Sequence, residues 1–198
     1  MEIKVFGLWG VEGIKVTDQG LVRYLNLDPR LVPKSGARYA GARFHKSDLF
    51  ILERLANKVF VTGHKGHKHL ISSGHNAGKK EKILGLLKKS LKIIETKLKK
   101  NPVEVLVGAI EAAAPREETI SIEYGGAKYP KAVDVAPQRR VDLALRWMTQ
   151  GAYTKSFSKK NTFEEALADE IINTYQASSK STAVSKKRDV ERQAASSK

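Results

Sequence analysis

Four imidazoles fall within twelve residues, at His64, His67, His69 and His75, and they are the first candidates for metal chemistry. Two features weigh against a metal. Lys65 and Lys68 are interleaved with them and repel a cation, and no Asp or Glu lies in the segment to orient a ligating ring. The chain has no cysteine, which excludes disulfides, thiolate zinc sites and cysteine nucleophiles. Gly74-His75-Asn76-Ala77-Gly78-Lys79-Lys80 imitates a nucleotide-binding loop. Its glycines enclose three residues where a Walker loop has four, Lys80 stands where the Mg²⁺-binding hydroxyl belongs, and no buried strand precedes it. Glu117-Glu118 lies beside an expected hairpin, and Glu164 and Glu165 suit a helix start. Glu165, Asp169 and Glu170 suit a solvated helix face as well as they suit a metal. No Gly-x-Ser-x-Gly elbow occurs. The chain reads as a non-enzyme that needs no cofactor.

Cations in aromatic company are different in kind. Lys34, Arg38, Arg43 and Lys46 fall within thirteen residues with Tyr39 and Phe44, separated by Gly, Ala and Ser. Small spacers let a backbone approach a sugar-phosphate chain, guanidinium forks grip phosphate, and rings stack on unpaired bases. Tucking both rings onto the body of the fold is the open alternative. A second seat is expected where Pro137-Gln138-Arg139-Arg140 opens a helix, with N–H groups and two guanidiniums at one end. Arg146 lies about 240° around that helix from Arg140, so the three cannot share a narrow face. Trp147 is expected on its buried side. Lys65, Lys68, Lys79 and Lys80 add cations in the His-rich loop, and Lys155, Lys159 and Lys160 add them after the helix. With 36 basic against 21 acidic residues the chain carries +15, which calls for a polyanionic partner, nucleic acid before anionic membrane. Residues 64–101 alone hold 11 Lys against Glu81 and Glu95. The charge is placed in blocks, as expected of chosen contact surfaces.

The elements that must position these groups are legible as periodicities. At 198 residues and 41% apolar content, the chain has enough to bury a core. Residues 1–46 read as an extended arm with short strands at Ile3–Trp9 and Gly13–Val16, broken by Pro29 and Pro33. Ser47 is the expected N-cap of a helix running to Gly63. Residues 64–79 read as a mobile loop without apolar period. Ile83, Leu84, Leu87, Leu91, Ile94 and Leu98 form a helical stripe. Asn101-Pro102-Val103-Glu104 gives a cap, an N1 proline and a capping box for the next helix, which Pro115 ends. Thr119–Tyr124 and Lys128–Val135 alternate around Gly125-Gly126 as a hairpin that must either pack or protrude. Pro137 starts a helix closed at Gly151. Thr162-Phe163-Glu164-Glu165 is a second capping box. The tail from Ser178 has few apolar residues and is expected to be held by a partner. The organisation is an arm (1–46), a helical domain with a β-hairpin at 118–135 (47–179) and a basic C-terminal tail or helix (180–198). The fold class is mainly α, a bundle of about six helices with a protruding hairpin. No apolar run approaches membrane-spanning length and the first residues lack a signal-peptide design, so an intracellular protein is expected.

Collinear stretches then carry a resemblance. Lys4-Val5-Phe6-Gly7-Leu8-Trp9, Gly36-Ala37-Arg38-Tyr39, Asn101 to Val107, Ala114-Pro115-Arg116-Glu117, Tyr124-Gly125-Gly126, Val133 to Asp142, Glu165 to Glu170 and Lys186 to Arg192 together resemble the S-seven family. These are small-subunit ribosomal proteins, here in the archaeal/eukaryotic form called S-five in eukaryotes. The resemblance implies a cytoplasmic, ribosome-bound protein on the 3′ major domain of small-subunit rRNA, helping to nucleate the head among neighbouring small-subunit proteins. It also implies a place near the exit site, approaching tRNA and mRNA. The rRNA surface would comprise Lys34, Arg38, Tyr39, Arg43, Lys46, Lys65, Lys68, Lys79, Lys80, Arg139, Arg140, Arg146, Lys155, Lys159 and Lys160. Gly125, Gly126 and Lys128 at the hairpin tip, with Lys186, Lys187 and Arg188, would lie nearer the exit site. The segment 64–73 looks longer than the corresponding loop of relatives and is expected to add a local rRNA contact. A general DNA-compacting protein is the competing reading, with no membrane partner in either.

Overall fold

The computed structural model describes residues 3–38, 40–66, 68–69 and 71–198, and only the backbone of residues 68, 69, 71 and 72. Tyr39 and His67, both expected to matter, lie outside the described residues, as do the side chains of Lys68 and His69. Among the described residues there are six α-helices: α1 (Ile51–Val59), α2 (Lys80–Leu98), α3 (Pro102–Ala113), α4 (Pro137–Ser156), α5 (Phe163–Tyr175) and α6 (Thr182–Ala195). A short antiparallel pair, β1 (His64–Lys65) and β2 (Lys68–His69), follows α1, and a long hairpin, β3 (Glu117–Tyr124) and β4 (Ala127–Asp134), follows α3. The class is mainly α with a hairpin, as the periodicities predict. Among the described residues, no helix is long and apolar enough to cross a membrane.

The helices pack because their stripes coincide. Ile83, Leu87, Leu91 and Ile94 of α2, Leu106 and Ile110 of α3, Leu145 and Met148 of α4, and Leu167 and Ile171 of α5 are all buried in one core. α4 lies at its centre, against α1, α3, α5 and α6. The first 46 residues have no core of their own and share this one: Val5, Trp9, Val11, Leu21 and Leu25 are buried in it. Their expected strands do not form. Phe6 and Gly7 turn the chain with positive φ, so Trp9 meets Val5 in an isolated bridge.

Local signals succeed where their partners are local. Thr162 Oγ1 accepts from Glu165 N–H and Glu165 Oε2 accepts from Thr162 N–H, completing the box at α5. At α3 the box is not completed. Asn101 accepts from Val103 N–H, and its amide donates to the Gly10 carbonyl at 2.7 Å, tethering the arm. Ser47 is no N-cap; it lies in a 3-10 turn (His45–Asp48), and α1 starts after Phe50 without a side-chain cap. Among the described residues of 64–79, where the sequence predicts a loop, β1, β2 and a 3-10 turn (Ile71–Gly74) form.

Two further differences have tertiary causes. Gly151 does not end α4; the helix continues to Ser156. A Cβ there would sit 2.9 Å from Thr182 Cβ and 3.0 Å from the Glu170 carboxyl, so glycine is needed for helix approach. The tail helix α6 is docked on the body, not left for a partner. Ala183, Val184 and Ala194 are buried, and the fully buried Glu170 carboxylate of α5 accepts from Ser181 Oγ and Ala183 N–H at the start of α6. Lys155 of α4 pairs with the same carboxylate.

The hairpin does both things open to it. Its base rests on α6, with Arg116 N–H donating to Glu191, Ala132 N–H donating to the Ser197 carbonyl, and Lys198 paired with Glu117 at 2.8 Å. Its tip projects: Gly125 and Gly126 take positive φ, and Tyr124 is 81% exposed.

Candidate nucleic-acid interface

One face of α4 carries Asp142, Arg146, Gln150 and Thr154 at successive turns, since residues four apart lie on one side of a helix. Four segments converge on that ladder. Asp142 accepts from Lys46 of the arm at 3.2 Å, lies 3.3 Å from Arg54 of α1, and lies 3.6 Å from Lys58 one turn further along α1. Burial pushes the Asp142 carboxyl up, but Lys58, Arg54 and Lys46 outweigh it and hold the group below its ordinary value. Arg146 is exposed and shares a cleft with Lys58, His64 and Gln150. Gln150 donates to the His64 carbonyl at 3.1 Å, fixing β1 on the helix. Lys65 reaches Thr154 at 3.0 Å and lies over the Tyr153 ring. Lys186 of α6 comes close enough to Lys65 that, after burial, this neighbour is the second cause of its lowered pKa. The result is a cationic flank of Lys46, Lys58, Arg146, Lys65 and Lys186, with Asp142 the acidic group at its head.

The other expected site residues separate into those facing solvent and those used by the fold. Arg38, Lys159, Lys160 and Lys128 are exposed, and Arg43 is exposed with its guanidinium over the Phe44 ring. Lys34 pairs with Glu81 at 2.8 Å, both side chains at least half exposed. Lys79 donates to the His75 carbonyl at 2.7 Å. Lys80 pairs with Glu53, a buried carboxylate that also accepts from Ser35 N–H and Oγ at 2.9 Å. Burial raises Glu53, yet Lys80 and Ser35 hold it below its ordinary value. That triad clips the arm to α1 and α2.

The expected phosphate seat at the start of α4 has a different arrangement. Arg139 forms two bonds with Glu118 at 2.7 and 2.9 Å. Arg140 turns inward, donating to the Pro115 carbonyl at 3.1 Å and to Asp18 at 2.7 Å. Both guanidiniums already hold oxygen partners, because the hairpin base and arm pack against that helix end. Lys187 similarly donates to the Ala112 carbonyl, Arg188 to the Ala177 carbonyl, and Lys155 to the Lys180 carbonyl. Trp147 is buried, as its helical position predicts. Among the described residues, no three His, Asp or Glu side chains gather as a metal-binding group.

Sequence reading missed Lys58 and Arg54. Their spacing, four apart on α1, matches that of Asp142 and Arg146 on α4, but only the pairing of these helices shows that the two sets face each other.

A family model, ribosomal protein S7p/S5e, matches residues 22–198. The chain is 50% identical over its full length to the small ribosomal subunit protein uS7 of Nanoarchaeum equitans, covering all of that protein. It is 43% identical to the uS7 protein of Archaeoglobus fulgidus, covering 96% of that chain, and 44% identical to that of Methanosphaera stadtmanae, covering 99%. A family model matched over residues 22–198 and relatives of 43–50% identity along the whole chain place it in the ribosomal protein S7p/S5e family, whose members are structural and non-enzymatic.

Proposed function

We propose that this chain binds the 3′ major domain of small-subunit rRNA, nucleates assembly of the subunit head, and acts in the cytoplasm as part of the ribosome. The observation that carries the reading is the cationic flank of α4, where arm, α1, β1 and α6 bring cations to one side of a rigid helix. Such a surface neutralises phosphates, and the fit of its rigid outline to folded RNA supplies the selectivity. Arg38, Arg43, Lys159 and Lys160 are further exposed cations available to phosphate. The names of the relatives, small ribosomal subunit proteins, supply the context. The hairpin tip at Gly125, Gly126 and Lys128 is the part that would approach exit-site tRNA and mRNA, because it projects from the body with its large apolar side chains exposed. The segment 64–73 would add an rRNA contact through Lys65.

The test is competition at matched salt between an rRNA head-domain fragment and bulk duplex DNA. The proposal expects clear preference for the rRNA fragment and, for about 6–10 phosphate contacts, loss of about 10³–10⁵ in affinity between 50 and 200 mM salt. Equal affinity for both polyanions would replace it with the general nucleic-acid binder.

A further inference from the structure

Two helices face each other across the cationic flank with their charges only half matched. Arg54 and Lys58 stand one turn apart on α1, opposite Asp142 and Arg146, one turn apart on α4. The first rung is complementary: Arg54, 3% exposed, meets Asp142 and also donates to the Tyr24 carbonyl at 2.6 Å. Asp142 is then shared three ways, with Lys46 on one oxygen and Arg54 and Lys58 on the other. The second rung sets Lys58 against Arg146, cation to cation.

Between them lies a cleft of about 180 Å³ lined by Lys58, Val61, His64, Gly66, Arg146, Thr149 and Gln150, none of them acidic. Burial lowers the Lys58 pKa foremost; Asp142 opposes this, and Arg146, Lys46 and Arg54 add to it. Asp142, 3.6 Å from Lys58 and shared with two other cations, offsets only part of the repulsion between this half-buried ammonium and Arg146, and an anion in the cleft would offset the rest. Gly66 takes a positive φ at the mouth of the cleft and leaves open space where a side chain would stand. The volume exceeds that of several water molecules.

We infer that the cleft between Lys58 and Arg146 is the seat of one phosphate group of the RNA backbone, gripped by both cations at once. The inference rests on the rRNA-binding reading. Phosphate fits better than the carboxylate of a protein partner because Lys46 lies on one side of the cleft and Lys65 on the other, a row suited to successive backbone phosphates. Arg146 supplies a planar fork and Lys58 a point charge, a pairing that recurs in phosphate recognition.

The experiment uses the full chain with Lys58→Met, Arg146→Gln and the double substitution. Inorganic phosphate is titrated while side-chain NMR signals of Lys58 and Arg146 are followed, and affinity for the rRNA head-domain fragment is measured against salt. The expected result has saturable shifts confined to these two side chains in the wild type. Each single variant should lose about tenfold in rRNA affinity and reduce the salt slope by about one. The double variant should lose less than the product of the singles, because both act on one phosphate. Arg146→Gln should keep or raise its urea midpoint, which separates a ligand seat from a structural role that would lower midpoint and affinity together; Lys58→Met also removes a partner of Asp142, so its affinity loss is read against its own midpoint. Unchanged rRNA affinity and slope overturn the inference, including the case where free phosphate still saturates the cleft, since its occupant would then not be RNA backbone. If the wild type shows no preference for rRNA over DNA but the variants lose affinity for both, the phosphate seat stands and the ribosomal RNA reading falls.

Discussion

Arg139 and Arg140 are neighbours with opposite fates. Arg139 projects from the end of α4, its side chain about half exposed, and Arg140 is 9% exposed with two oxygen partners from different segments. An exposed ion pair contributes about 0–1 kcal/mol, whereas removing one member of an inward pair strands the other. Arg140→Ala should therefore cost about 2–4 kcal/mol in urea unfolding, and Arg139→Ala less than about 1 kcal/mol. Equal losses would mean that the Asp18 and Pro115 contacts contribute nothing to the fold. For the same reason, RNA-binding measurements on an Arg140 variant mix folding with recognition, while Arg146, exposed and outside the core, does not. The sequence presents Arg139, Arg140 and Arg146 alike. Residue type says that each seeks an oxygen; only packing says whether that oxygen belongs to the chain or to a partner.

At the level of elements, the start of α6 is held by Glu170, and α4 comes near enough to require Gly151. Glu170→Gln keeps the shape of the side chain and removes the charge beside Lys155; a loss of about 2–3 kcal/mol is expected, with amide exchange rising first in α6. Gly151→Ala gains helix propensity of about 1 kcal/mol but forces a Cβ against Thr182 and Glu170, so a net loss of about 1–2 kcal/mol is expected by thermal or urea unfolding. A stabilised Gly151→Ala protein would show that the helices can part. These two residues also mark where the sequence stops being legible. The apolar stripes of α2, α3 and α5, the hairpin turn and the Thr162 box depend on neighbours within a few residues, and they read correctly. Gly151 looks like a terminator because its Thr182 contact lies 31 positions away. The tail reads as needing a partner because its anchor, Glu170, belongs to an acidic helix that, considered alone, reads as a solvated face. Ser47 has the composition of a cap, but Phe50 and Ile51 are fully buried, and α1 starts at that anchored pair.

For the whole molecule, carboxylates set the response to acid. Asp18, bonded to Arg140, lies below its ordinary value of 3.8; burial raises Glu53 and Asp142, but Lys80 and Ser35 at Glu53, and Lys58, Arg54 and Lys46 at Asp142, lower them more strongly. A depressed carboxyl contributes its full stability above the ordinary value and loses it as the pH falls through the depressed one. The urea midpoint should hold down to about pH 5 and fall steadily below about pH 4. All three pairs join the arm or α1 to another segment, so the arm should loosen first on acidification. A midpoint that rises below pH 4 would contradict these ion-pair assignments.

The hairpin's footing has a consequence for the order in which the protein is made. Both strands, and the turn between them, leave the ribosome before residues 182–198, yet the helix on which the strands rest is formed by those later residues. A nascent chain at that stage carries a ribbon without its support, free to swing until α6 emerges and locks onto Glu170. Orientation of the projecting tip is thus a late event in biogenesis, although its amino acids are synthesised earlier.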